Sequence, residues 1–178
     1  MNNKRWIFKE GYDKEIVRKL QEEIGVDEII ATLLVERGIT TFEEARCFFR
    51  PSLDQLHDPF RMKDMDRAIA RINDAVRRRE RILVYGDYDV DGTSAVALVY
   101  SYLQSFHKNI DFYIPDRDAE GYGISFQGID YAHETGVKLI IALDCGIKAM
   151  EQVDYAKKFG IDFIIGDHHL PDGINIPQ

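Results

Sequence analysis

From residue 82 onward, short apolar runs alternate with segments of helical period, and this alternation restricts the fold more than any other feature of the chain. Ile82-Leu83-Val84-Tyr85, Ile110 to Ile114, Lys138 to Leu143 and Asp162 to Gly166 read as strands. Thr93 to Phe106, Ser125 to Thr135 and Ala149 to Phe159 read as the helices between them, the last two stopped by Gly136 and Gly160. Strands that are apolar on both faces need cover on both sides. The pattern therefore predicts an α/β domain, a parallel sheet with flanking helices.

Residues 1–80 carry helical period instead. Asp13 to Ile24 places Ile16, Leu20 and Ile24 on one face, and Val26 to Glu36 does the same with Ile29, Ile30, Leu33 and Leu34. Thr41 with Glu44 three residues later forms a capping-box signature, and Pro51 ends the helix it opens. After a linker containing Pro59, Met65 to Glu80 reads as a long amphipathic helix with Ala68, Ile69, Ile72, Ala75 and Val76 inward. The expected organisation is a small helical N-terminal region over residues 1–80, followed by the α/β domain over residues 81–178. The basic cluster Arg77-Arg78-Arg79-Glu80-Arg81 admits two readings, a solvated helix end or a phosphate contact.

Charge is informative once divided. Residues 1–80 hold 16 Lys+Arg against 16 Asp+Glu, whereas residues 81–178 hold 7 against 15, so the whole net charge of -8 lies in the second half. Domains that grip nucleic acid usually show a basic footprint, and here the balance is reversed. Acids gathered near strand ends point instead to a cation site. No run of about 18 apolar residues is present to cross a membrane, and the opening Met1-Asn2-Asn3-Lys4-Arg5-Trp6 lacks the apolar core of a secretory signal. Cys47 and Cys145 are too few and too far apart for a disulfide framework or a thiolate zinc site. Together these features predict a cytoplasmic location and no membrane partner.

In an open parallel sheet, ligands bind beyond the carboxyl ends of the strands, which directs attention to the residues just after each apolar run. The first run continues into Gly86-Asp87-Tyr88-Asp89-Val90-Asp91-Gly92-Thr93, three carboxylates at alternate positions with Gly92 permitting a tight turn. A calcium loop would need a bidentate glutamate at its twelfth position, and counting from Asp87 that position is Leu98. The third run ends at Asp144-Cys145-Gly146 and the fourth at Asp167-His168-His169. Asp89, Asp91, Asp144, Asp167, His168 and His169 thus share one predicted sheet edge, where their like charges repel unless a cation intervenes. Carboxylates together with imidazoles suit manganese or a related ion. A pair of such ions would activate water for in-line attack at phosphorus.

Gly86-Asp87-Tyr88-Asp89-Val90-Asp91-Gly92, Arg117-Asp118-Ala119-Glu120-Gly121-Tyr122-Gly123, Asp144-Cys145-Gly146 and Asp167-His168-His169-Leu170-Pro171 resemble, in order and spacing, the four motifs of the DHH phosphoesterases. The Glu-Gly-Tyr-Gly element, the segment Leu53 to Met62, Trp6 and the helical prelude are similar to the branch of that family whose members digest single-stranded DNA from the 5′ end in recombination and repair. The resemblance implies Mn²⁺ or Mg²⁺, two ions in the complete enzyme, with Asp89, Asp91, Asp144 and His168 as ligands. It implies that His169 is a ligand or a histidine supporting the transition state, that Asp87 is an additional or outer ligand, and that Arg117 lies close to the substrate phosphate. Tyr122 either shapes its loop or simply packs, and Thr93 either caps a helix or turns that helix's amides toward a phosphate.

The chain departs from the family pattern in two places. Some members carry a metal-binding histidine where this chain has Tyr85, a poor ligand when neutral. The family also expects a further aspartate ligand and substrate-binding domains downstream, none of which occurs before Gln178, so the expectation is a catalytic fragment that is inactive alone. Two other readings stay open: a small-substrate phosphatase or phosphodiesterase, against which the helical prelude speaks, and a non-catalytic binding subunit, against which the retained carboxylates and histidines speak.

Overall fold

The computed structural model describes Arg5, Ile7, residues 11–171, Gly173, Ile176 and Pro177. Trp6, which contributes to the family resemblance, lies outside the described residues. The chain divides into two compact units, one ending at Arg61 and the other beginning at Met62.

The first unit holds α1 (Lys14–Ile24), α2 (Glu28–Glu36) and α3 (Phe42–Phe49), then single 3₁₀ turns at Leu53–Gln55 and Pro59–Arg61. Each α-helix opens on a side-chain cap from Asp13, Asp27 or Thr41, and the Thr41–Glu44 capping box forms as its spacing requires. Leu20, Leu34 and Ala45 make a small core with Ile24, Val35 and Ile39 around it.

The second unit comprises α4 (Met65–Arg78), β1 (Arg81–Gly86), α5 (Val90–Gln104), β2 (Ile110–Tyr113), α6 (Phe126–Glu134), β3 (Val137–Leu143), α7 (Met150–Lys157) and β4 (Asp162–Gly166). All four strands are parallel, in the order β2-β1-β3-β4. Alternate residues of β1 and β3 feed two cores on opposite faces. Leu83, Tyr85, Ile140 and Ala142 pack with Ile129 and Ala132 of α6 and Ala156 of α7. Ile82, Leu139 and Ile141 pack with Leu103 of α5 and Ala75 of α4. The three-layer α/β/α arrangement expected from the sequence is therefore present.

The division between compact units falls before α4, which packs with the sheet. Sequence period identifies α4 as a helix but does not say what its apolar stripe meets. Ile72, Ala75 and Val76 cover one face of the sheet, and Arg71 binds Glu80 at 2.7 Å and Asp162 at 2.6 Å. The basic cluster is engaged in ion pairs: Arg77 with Asp74, Arg78 with Asp74 at 3.6 Å, and Arg81, at the start of β1, with Asp111 at 3.1 Å.

Because β1 neighbours β2 on one side and β3 on the other, the connections after β1 and β3 diverge to opposite faces. The switch point between these two strands opens a crevice at their carboxyl ends. Asp87 and Asp89 come directly after β1, Asp144 after β3, and Asp167 to His169 after β4, so the topology delivers every acidic motif to one edge.

Candidate metal centre

Asp144 stands at the tip of β3 with φ 59°, in the left-handed region that few non-glycine residues occupy. Its amide donates to the Gly166 carbonyl at 2.8 Å, which fixes the end of β3 against β4. The carboxylate Oδ1 lies 3.0 Å from Nε2 of His168, and the Asp144 side chain is only 10% exposed. Asp144, His168 and His169 each place a ligating atom within 4.8 Å of the others. Aspartate is among the side chains that tolerate this conformation, and Asp64 adopts it too, with φ 58°.

Asp167 orients the second histidine. Its Oδ1 accepts from the His169 backbone amide at 3.0 Å and lies 2.7 Å from His169 Nδ1, while Oδ2 accepts from the Ile147 amide at 2.9 Å. Burial pushes this carboxyl up, but the two amides and the His169 ring outweigh it and hold Asp167 below the usual carboxylate range. The same hydrogen bond raises the His169 ring above its ordinary value. With Nδ1 committed to Asp167, Nε2 remains for an ion or a substrate oxygen. In the sequence Asp167 stands among the converging acids without a role of its own. Its position beside the paired histidines is the signal that points to one.

On the β1 side, Asp89 caps α5, its Oδ1 accepting from the Gly92 amide at 2.9 Å. The helix consequently starts at Val90, and this corrects the loop reading of residues 87–92. Asp91 occupies the first turn, exposed and off the wall of the central cleft, because residues two apart on a helix do not face each other. Gly92 lies buried within the helix, where a Cβ would meet the Asp87 carbonyl oxygen at 2.5 Å; close approach, not a turn, is what requires glycine. Thr93 neither caps nor opens the helix, since its hydroxyl donates back to the Asp89 carbonyl at 2.6 Å.

Asp87 is almost wholly buried, at 1% exposure. Its Oδ1 receives a long bond from the Gly123 amide at 3.5 Å, and its Oδ2 has no partner among the described residues. A buried carboxylate oxygen without a donor is costly, at about 1–3 kcal/mol or more. A cation close by would offset that cost, and the carboxylate–imidazole donor set of Asp144, His168 and His169 has the chemistry that suits Mn²⁺ or a similar ion.

The loop from Asp116 to Ser125 roofs this edge. Tyr122 points its hydroxyl at both halves of the cluster, 3.3 Å from His169 Nε2 and donating to the Asp144 carbonyl at 3.4 Å. Desolvation, with Asp87, Asp167 and Asp144 nearby, pushes this phenol up to about 12, so it stays protonated at neutral pH. Tyr122 therefore does more than pack. Arg117 is exposed and sits over the Tyr88 ring at 5.3 Å, and Tyr88 meets Tyr122 edge-on. Arg117 is thus connected to the cluster through two aromatic rings and does not touch the carboxylates. Tyr85 turns away from the acids and bonds the roofing loop, through Gly123 and Ser125. Cys145 is buried, with its thiol pushed up to about 12 by burial first and the surrounding acids second, so no thiolate is available as a nucleophile.

A cleft of about 790 Å³ joins these parts, lined by Asp89, Tyr122, Asp167, His168 and His169, with Ile147 and Leu170 among its apolar walls.

A crevice at the switch point of the parallel sheet, edged by an Asp-Cys-Gly and an Asp-His-His strand ending, gathers the acidic motifs of the chain. The profile described as DHH family, N-terminal domain, matches residues 81–178, and the chain belongs to the DHH family. Within it, the chain is similar to RecJ. The single-stranded-DNA-specific exonuclease RecJ of Bacillus subtilis is 42% identical over 166 residues, which cover 93% of this chain and 21% of that protein. A crystal structure of exonuclease RecJ bound to manganese superposes with a TM-score of 0.61 at 32% identity, covering 66% of this chain and 30% of that one. RecJ from Thermus thermophilus in complex with Mn²⁺ gives a TM-score of 0.66 at 25% identity, covering 92% and 22%. The chain thus spans about a fifth of the length of the curated relatives it matches.

Proposed function

We propose that this chain is the metal-binding portion of a single-stranded-DNA exonuclease that hydrolyses phosphodiesters from the 5′ end, acting in recombination and repair. The observation that carries the reading is the convergence of Asp144, His168 and His169 beside a buried carboxylate, Asp87, that lacks a donor. Similarity to relatives named as single-stranded-DNA-specific exonucleases supports the substrate, and the Mn²⁺ in related crystal structures supports the ion.

In this reading Asp144, His168 and His169 would hold a divalent cation with Asp89, while Asp87 would add its unpartnered carboxylate oxygen and Asp91 adds to the negative edge. A bound divalent ion supplies Lewis acidity and a lowered pKa for water. The protein's own share is positional and electrostatic. Asp167 holds His169 in the tautomer that presents Nε2. Tyr122 offers a neutral hydroxyl, able to donate to a substrate oxygen, and Arg117 brings a guanidinium suited to a phosphate. No serine or cysteine among the described residues has a base partner in the cleft, which favours direct attack by water.

The test uses the full-length protein with Mn²⁺ and end-labelled oligonucleotides. Mononucleotides released from the 5′ end of single strands, with duplex resistant and Asp144→Ala inactive but folded, are the expected result. Equal digestion of duplex, or an Asp144→Ala protein within a few-fold of wild type, would sink the reading.

A further inference from the structure

The roofing loop is suspended from a buried network that no metal or substrate chemistry explains. Tyr85, fully buried on β1, donates its hydroxyl to the Gly123 carbonyl at 3.0 Å and accepts from the Ser125 amide at 3.0 Å. Ser125, itself 7% exposed, donates to Glu120 Oε2 through a short bond and accepts from the Gly128 amide at 2.9 Å, which makes it the cap of α6. Glu120 Oε2 also accepts from Tyr113 at 2.9 Å, and Oε1 accepts from the Asp116 amide at 2.8 Å. The Tyr85 and Tyr113 rings stack at 5.3 Å, and α6 can approach them because position 128 is glycine: a Cβ there would meet Tyr85 Cε2 at 2.6 Å.

Between the two ends of this network lies Tyr122, whose hydroxyl reaches His169 and the Asp144 carbonyl. Gly121 and Gly123 on either side both have positive φ, 83° and 82°. Those hinges leave the height of Tyr122 undetermined by its neighbours in sequence, and the bonds to Glu120, Gly123 and Ser125 supply what they omit.

We infer that Tyr85, Ser125 and Glu120 are positioning residues, a brace that sets the roofing loop so that the Tyr122 hydroxyl sits between His169 and Asp144. The inference rests on the hydrolytic reading of the site and deepens it.

The test compares Tyr85→Phe, Tyr122→Phe and the double variant in the full-length protein, each checked for thermal midpoint and Mn²⁺ affinity. The expected result is that Tyr85→Phe lowers kcat on a single-stranded oligonucleotide about tenfold, with KM and Mn²⁺ affinity within twofold of wild type. The double variant should be no slower than Tyr122→Phe alone, because a brace acts only through what it positions. Multiplicative losses in the double variant, or loss that tracks the thermal midpoint alone, overturn the inference. A second readout needs no turnover. The NMR resonance of the His169 ring, which lies edge-on to Tyr122 at 6.1 Å, should move in Tyr85→Phe toward its position in Tyr122→Phe. An unmoved resonance overturns the brace, whereas a moved resonance in a protein that cleaves no phosphodiester upholds the brace and rejects the function.

Discussion

Replacing Gly92 by alanine tests the packing that brings the β1 carboxylates together. In an ordinary helix interior, glycine to alanine stabilises by about 1 kcal/mol. Here the added Cβ would stand 2.5 Å from the Asp87 carbonyl oxygen, 2.7 Å from its nitrogen and 2.9 Å from its carbonyl carbon. An ordinary carbon–oxygen contact needs about 3.4 Å, so the first turn of α5 must retreat from Asp87 by roughly 1 Å. All three opposing atoms are backbone, and no rotamer relieves them. The cost therefore falls at the upper end of the about 1–3 kcal/mol typical of overpacking. Set against the propensity gain, a net destabilisation of about 2 kcal/mol remains, or about 6–10 °C in Tm for a unit of this size. The retreat carries Asp89 with it, because that residue caps the same helix through the Gly92 amide. Calorimetric melting and Mn²⁺ titration of Gly92→Ala should show both a lower Tm and weaker binding. A variant as stable as wild type or more so, as helix propensity alone dictates, would refute the close-approach argument.

Three further outcomes are expected from the same geometry. Asp167→Asn removes the partner that raises His169, so protons compete less with the ion at low pH and the pH below which Mn²⁺ affinity collapses should move down. Affinity at high pH should still fall about 10–100-fold, because the ring loses its orienting carboxylate; an unchanged profile by titration calorimetry at several pH values contradicts this. Arg71→Ala should cost about 1–2 kcal/mol in urea unfolding, discounted for the exposed Asp162 partner, by leaving Glu80 only its longer pair with Arg78 at 3.9 Å and loosening α4 from the sheet without altering Mn²⁺ affinity. Asp144→Asn, which keeps a side chain tolerant of the left-handed backbone, should leave the Tm of this unit within about 3–5 °C, the shift of roughly 1 kcal/mol, while abolishing hydrolysis by the full-length protein.

The sheet was legible because its strands are apolar on both faces and its helices are separated by glycines and caps. The four strand ends were legible for the same reason, and with them Asp144 and the Asp-His-His turn. Three details were not. The start of α5 at Val90 depends on Asp89 folding back to cap it, a choice that alternate acids in a row do not disclose. The partner of α4 is a tertiary fact: the stripe from Ile72 to Val76 looks the same whether it meets helices or a sheet. The roles of Tyr85 and Tyr122 arise from contacts across 22 to 47 residues of sequence, where local pattern carries no information. The excess of acid in the second half, by contrast, is visible in composition alone, and four of those acids, Asp87, Asp89, Asp144 and Asp167, follow the carboxyl ends of β1, β3 and β4.

The central claim is that these strand ends hold a divalent cation. Titration of Mn²⁺ into the wild-type protein and into an Asp144→Asn/His168→Ala variant of matched circular dichroism addresses it directly. Saturable binding in the wild type, weakened at least about 100-fold in the variant, a loss of about 2.7 kcal/mol, is the predicted result. Equal affinity in the two folded proteins would place the ion elsewhere and contradict the account.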